Sequence, residues 1–216
     1  AFGISSGDNL LMARDRGADL VAIFAAYQSF PEGIMVHASR GLNAMTEVFQ
    51  GGTLGVIPGT PFLKLLERQY GLDKVKVVPH DNNIAPFLHD PRMAQQCFIS
   101  SEPIVARRAG ANPQVFMLKD IGFNPYTGLI ITRRQTLQAH PERVRALVRA
   151  VRQGWRAYLA DPGPANGIMN ALNPTMAAET FAEAALIQQP LIQGQLDDEA
   201  LGTMTLDRWR TLAEQL

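Results

Sequence analysis

The sequence predicts an α/β protein with two lobes, the second inserted between two crossings of the chain, and three observations carry that expectation. The first is a plan that recurs. "FGISSGDNLLMARDRG", "GVIPGTPFLKLLERQYG" and "CFISSEPIVARRAG" each join a short apolar run to a small polar turn and then to a helix stopped by glycine. The second is a set of further strand candidates between them, "LVAIFAAY", "GIMVHA", "KVKVV" and "VFMLK", rich in Val, Ile and Phe and bounded by turn residues. Strands alternating with helices argue for a mainly parallel sheet. The third is a change of character after "YTGLIITR", where long amphipathic helical patterns take over.

In the first unit, Ser5-Ser6-Gly7 makes the turn, Asp8 is the expected cap and Gly17 the stop. In the second, Pro58-Gly59 reads as a tight turn and Thr60-Pro61 as a helix entry: Thr60 can accept a bond from a free N–H, and Pro61 lacks a donor where none is needed. Phe62, Leu65, Leu66 and Gln69 fall on one face, and Gly71 ends the helix. The amides around Gly59 to Phe62 then stand free at the positive end of a helix dipole, which suits an anion or a carbonyl oxygen. In the third unit, Glu102-Pro103 opens a helix that stops at Gly110. In parallel sheets ligands bind beyond the carboxyl ends of the strands, where such helices begin. Three helix starts bearing hydroxyls and amides are therefore expected to converge on one cleft.

"HPERVRALVRAVRQGWRAYLADP" places Val144, Leu147, Val148, Val151, Trp155 and Leu159 on one stripe. "NPTMAAETFAEAALIQQP" reads as a second helix with Asn173 as cap and Pro174 at its first position, and "TLDRWRTLAEQL" as a third. Trp155 and Trp209 are expected to fill core space between helices and sheet. "YQSFPEGIMVH" and "DIGFNPYTGLIITR" read as the two crossings, which puts residues 1–36 and 129–216 in the first lobe and 37–128 in the second.

Composition excludes several function classes. The chain has 216 residues, 46% of them hydrophobic and 19% charged, with twenty basic and twenty acidic side chains, so it offers no field that would gather nucleic acid. No stretch reaches the roughly 18 apolar residues a membrane helix needs, and the first residues lack a secretory signal. The single Cys97 excludes an internal disulfide, and His37, His80, His89 and His140 lack ligand spacing with one another or with it. No Ser/His/Asp order, phosphate loop or metal constellation stands out, and no cofactor is expected.

"GTLGVIPGTPFLKLLERQYGL", "FISSEPIVARRAG", "GFNPYTGLIITRRQTLQAHPERVRALVRAVRQGWRAYLADP" and "RWRTLA" together resemble the solute-binding proteins of ABC importers in the NMT1/THI5-like group. That group includes binders of thiamine-precursor pyrimidines, alkanesulfonates, nitrate and riboflavin. The resemblance implies a type 2 periplasmic binding protein fold with a hinge of two crossings. It implies a monomer at the outer face of the cytoplasmic membrane that closes on a small solute by population shift and passes it to a permease. It also implies a strand-helix-strand segment and a signal peptide before "FGISSGD", so the first lobe is expected to be incomplete here.

The same resemblance assigns a site. Ser5, Ser6, Gly59 and Thr60 match turns that face the cleft and donate to polar ligand atoms. Glu102-Pro103 matches a glutamate-proline pair that accepts hydrogen bonds from an aminopyrimidine; the tyrosine normally found four residues earlier is Phe98, which keeps a ring but no hydroxyl. Asn124, Tyr126 and Gln28 fall at the crossings near the expected cleft floor. Each has a plainer alternative: local capping for Ser5 and Ser6, dipole compensation for Glu102, interface packing for Tyr126. The eukaryotic pyrimidine synthases of the group are enzymes that bind pyridoxal phosphate, but they carry a cysteine-rich run where "FNPYT" stands here. The expected role is therefore binding, with a thiamine-precursor pyrimidine or related heterocycle as the favoured guest and sulfonate, nitrate or riboflavin as alternatives.

Overall fold

The structure, a computed structural model, describes residues 1–81, 83–194 and 200–216. The chain forms two compact units, Ala1–Phe30 with Asn124–Leu216, and Pro31–Phe123. The chain crosses at Phe30-Pro31 and again at Phe123-Asn124, so the strand Glu32–His37, placed largely in the first lobe by its sequence position, is a member of the second. Thr127 and Gly128 likewise belong to the first unit, because they begin a strand of its sheet.

The first unit opens with β1 (Phe2–Ser5), α1 (Gly7–Asp15) and β2 (Leu20–Tyr27). The second contains β3 (Glu32–His37), the short α2 (Met45–Val48), β4 (Thr53–Val56), α3 (Phe62–Tyr70), β5 (Lys76–Pro79), α4 (Ala85–His89), β6 (Met93–Phe98), α5 (Glu102–Arg108) and β7 (Pro113–Met117). The first then resumes with β8 (Thr127–Arg133), α6 (Arg134–Ala139), α7 (Pro141–Ala160), α8 (Gly163–Leu172), α9 (Ala178–Gln193) and α10 (Leu206–Gln215).

Each unit is built around one strand of opposite sense. In the second, β5, β4 and β6 are parallel neighbours, and β3 is wedged antiparallel between β6 and β7, giving the order β5-β4-β6-β3-β7. In the first, β8 is wedged antiparallel between β1 and β2, which are joined through α1. The expectation of a mainly parallel sheet is thus corrected for the first unit, where both described pairings are antiparallel. In each unit the strand next to a crossing lies between two like-directed strands joined through a helix, β8 between β1 and β2 and β3 between β6 and β7, and pairs antiparallel with both.

Burial follows these positions. Ile34, Met35 and Val36 on β3, an interior strand, are wholly buried, with packing on both faces of the sheet. One face of the second unit gathers Met35, Phe87, Met93, Cys97 and Ala106. In the first unit Leu10, Ala25, Tyr126 and Leu129 pack with Trp209, while Phe24, Ala26, Ile192 and Leu201 pack with Val148, Val151, Trp155 and Leu159 of α7. Both tryptophans are therefore core-packing residues, as their patterns predict. Two helix entries differ from expectation. Asp8 lies inside α1 and bonds the next amide, and Asn173 closes α8, with α9 starting only at Ala178 after a turn.

Candidate functional site

In the second unit, parallel register sets the ends of β4 and β6 side by side: Gly55 pairs with Gln95, and each strand runs on into a turn and a helix. After β4, the carbonyl of Ile57 accepts the amide of Thr60 at 3.3 Å and also its hydroxyl. Pro58 and Gly59 are the central residues of this turn, and Gly59, at φ 81°, takes the left-handed geometry that the third position of a type II turn demands. Thr60 therefore does not cap the helix by accepting a bond, and its amide is not free. Both of its donors turn back to Ile57, and Pro61 enters the helix in helical geometry at φ −61° and ψ −35°.

The second turn is held by Glu102. Its Oε2 accepts the amide of Phe98 at 2.7 Å, the amide of Ser101 donates to the carbonyl of Phe98 at 2.8 Å, and the amide of Ile99 donates to Pro31 at 2.9 Å. Glu102 is only 8% exposed. No hydrogen bond from a described residue reaches its Oε1. A carboxylate in the first turn of α5 is also favoured by the dipole, which explains its tolerance of burial.

Two side chains that sequence reasoning missed, Gln95 and Gln96, complete this end. Gln96 accepts the amide of Ile57 at 2.8 Å and donates to Glu32 at 2.7 Å, tying the β4 turn to the start of β3. On the other face Gln95, fully buried, reaches His80 at 3.5 Å, and its Oε1 has no partner among the described residues. Burial holds the His80 imidazole below the ordinary histidine range, against the opposing pull of Glu102 and Asp81. Burial likewise pushes the Cys97 thiol well up, with Glu102 and Glu32 adding to it, so Cys97 is an inert core group. The signal that could have found them is two glutamines in the otherwise apolar run "MAQQCF", since a buried amide needs a partner.

The first unit gathers its candidates around a residue that was also missed. The guanidinium of Arg208 on α10 donates to the carbonyls of Asn124 at 2.6 Å and Pro125 at 3.0 Å, to Asn124 Oδ1 at 2.9 Å and to the carbonyl of Gln28. It lies 3.9 Å from the centroid of the Tyr126 ring. Asn124 Oδ1 also accepts the amide of Phe30 at 2.8 Å. Tyr126 is buried, its hydroxyl accepts the amide of Thr205 at 3.0 Å, and Trp209 sits beside the ring. Gln28 donates to the carbonyls of Ala25 and Thr203 at 3.0 and 3.2 Å. The ring face and hydroxyl expected of Tyr126, and the amide oxygen of Asn124, are thus already spent within the fold.

Ser5 and Ser6 lie beside this knot, because the amide of Gly7 donates to the carbonyl of Tyr126 at 2.7 Å. Ser6 Oγ accepts from the Asn9 side chain at 2.9 Å and Ser5 Oγ donates to the Ser6 carbonyl at 3.3 Å. Neither caps α1 through its side chain. Among the described residues no group of His, Cys, Asp and Glu could hold a metal ion, and no helix is long and apolar enough to cross a membrane.

Comparison with known proteins supplies the family. The sequence model of the family described as NMT1/THI5 like matches residues 1–165. A curated relative, the riboflavin-binding protein RibY of Chloroflexus aurantiacus, is 28% identical over 173 residues, which is 76% of this chain and 48% of that protein. The chain therefore spans about half the length of the curated relative it matches. Among solved structures, the periplasmic aliphatic sulphonate binding protein SsuA of Escherichia coli superposes with a TM-score of 0.66 at 15% identity, over 86% of this chain and 65% of that one. A putative periplasmic sulfonate-binding protein from Methylobacillus flagellatus gives a TM-score of 0.66 at 12% identity, over 99% of this chain and 66% of that one. With one antiparallel strand wedged into each α/β unit and a family match over most of its length, the chain belongs to the NMT1/THI5-like family and has the type 2 periplasmic binding protein fold.

Proposed function

We propose that this chain belongs to the solute-binding component of an ABC importer, working at the outer face of the cytoplasmic membrane and passing a small organic molecule to a permease. The favoured guest is a nitrogen-rich heterocycle of the thiamine-precursor pyrimidine type. One observation carries this choice: Glu102 is buried at a strand-to-helix turn with one oxygen bound to the Phe98 amide and the other accepting nothing from the described residues. A carboxylate oxygen with acceptor capacity left over can take a donor from a ligand, and the exocyclic amino group of an aminopyrimidine supplies one. Glu32, hydrogen-bonded to Gln96 at the same end of the sheet, adds a second acid.

That charge works against a sulfonate or nitrate, whose own oxygens would meet a carboxylate. Riboflavin is the second reading, supported by the name of the curated relative, and its ring system also carries N–H and carbonyl groups. A synthase role has less support, since the segment Phe123 to Thr127 contains no cysteine. Thr60, Gly59 and Phe98 are proposed to flank the ligand from the two adjoining turns of the second unit.

Calorimetry with 4-amino-5-hydroxymethyl-2-methylpyrimidine, riboflavin, an alkanesulfonate and nitrate tests the proposal. Heat from the pyrimidine that disappears in Glu102→Ala supports it. Binding of the sulfonate alone, or pyrimidine affinity unchanged in Glu102→Ala, overturns the carboxylate's role. Turnover of the pyrimidine precursor with pyridoxal phosphate present would favour the enzyme instead.

A further inference from the structure

A groove in the first unit has no part in that function. It is an open groove of about 420 Å³ among α7, α8 and α9, walled by Val151, Trp155 and Met169, with Tyr158 and Gln188 as its polar residues. No charged side chain lines it. The polar residues form a relay: Tyr27 donates to Gln188 Oε1 at 2.7 Å, Gln188 Nε2 donates to the Tyr158 hydroxyl at 2.9 Å, and that hydroxyl donates to Asn166 Oδ1 at 3.1 Å. Burial pushes Tyr27 to about 12, with Tyr158 adding to the shift, and burial also raises Tyr158, so both phenols remain protonated donors at neutral pH. The relay runs one way and leaves the second N–H of Gln188 without a partner among the described residues.

Gly154 is the independent observation. It sits in the middle of a 20-residue helix, where glycine costs stability relative to alanine, and nothing in the fold requires it: its φ is not positive, and a Cβ there would meet no atom within 4 Å. What the missing side chain does is keep the groove open beside Trp155. Gly154 thus leaves the helix backbone itself as part of the groove wall.

We propose that the groove among α7, α8 and α9 binds a neutral small molecule with an aromatic or alicyclic ring and one hydrogen-bond acceptor, the ring against Trp155 and Gly154 and the acceptor on the Gln188 amide. The absence of charge selects a neutral guest, the direction of the relay selects an acceptor, and the volume lies in the range of small-molecule sites. This site is separate from Glu102 and stands whether or not a pyrimidine binds there.

The test is NMR titration of the 216-residue chain with coumarin, a neutral ring system bearing a carbonyl acceptor. The indole N–H signal of Trp155 is followed, with that of Trp209 as internal control. Saturable movement of Trp155 alone is expected, with at least tenfold weaker binding of toluene, which lacks the acceptor, and of benzoate, which is charged. Gly154→Leu places its side chain in open space, so it should fold and bind coumarin at least tenfold more weakly. If that variant fails to fold, Gly154→Ala should raise the Tm and still weaken binding severalfold. A stationary Trp155, equal movement of Trp209, toluene binding equal to coumarin, or Gly154 variants that bind like the parent would each overturn the proposal.

Discussion

The crossing segments of the first unit and the β6–α5 turn of the second both present polar groups of the kind a ligand needs, yet they use them in opposite ways. Around Arg208, the carbonyls of Gln28, Asn124 and Pro125 and the side chain of Asn124 are consumed in holding two chain segments to α10. At Glu102, half of the carboxylate secures the turn and half is left over. A group that folding already satisfies costs a ligand a broken bond, whereas a carboxylate oxygen that folding leaves unused offers an acceptor without that loss. Polar residues at the expected place are therefore unequal candidates, and the difference lies in where their other bonds go.

The largest expected effect follows from breaking the satisfied side. Arg208→Met removes four donors from half-buried acceptors while keeping most of the side-chain volume, and it should destabilise the chain by about 3 kcal/mol. Chemical denaturation measures this. A loss under about 1 kcal/mol would show that water replaces the guanidinium without cost and that the knot around Asn124 is incidental.

Glu102→Gln sharpens the other side, because a glutamine oxygen can still accept the Phe98 amide. Stability should fall by no more than about 1 kcal/mol, while pyrimidine affinity should fall by about tenfold or more through loss of the charge-assisted bond. Equal losses in both quantities would make Glu102 a turn residue only.

The pH dependence of the second unit comes next in size. His80 is held below its ordinary value by burial, so the unfolded chain takes up its proton at higher pH than the folded one. Between the unfolded value near 6.5 and the lower folded value, unfolding binds a proton and stability falls as pH falls; above about 6.5 this contribution is flat. His80→Gln should flatten the stability profile between pH 7 and 5 relative to the parent, and an unchanged slope would place the origin elsewhere.

The fold was largely legible in the sequence, and its physical basis explains what was not. All three strand-turn-helix units form, and "LVAIFAAY" is β2 residue for residue, because apolar runs between turn residues report burial directly. The antiparallel wedge strands were not legible, since a strand's direction is set by where the chain re-enters a sheet and leaves no mark on its composition. α8 was missed because its ten residues carry no charge and none of them is buried, so it shows no amphipathic stripe. At the site, residue types were readable but their partners were not. Nothing in "GFNPYTG" announces that Arg208, more than 80 positions later, occupies Asn124 and the face of Tyr126. Long-range side-chain bonds are invisible to spacing arguments, and these decide which polar groups remain for a ligand.

The smallest expected effect tests that distinction at Thr60. Its hydroxyl and its amide both donate to the carbonyl of Ile57, so Thr60→Val leaves that carbonyl one donor and nearly the same side-chain shape. Stability should change by only about 0.5 kcal/mol, since a doubly served acceptor loses little when one bond goes. If the hydroxyl swings away from Ile57 to serve the ligand, pyrimidine affinity should fall severalfold in the same variant. An affinity equal to the parent's would put Thr60 with Tyr126 and Asn124, among the groups whose bonds the fold has already claimed.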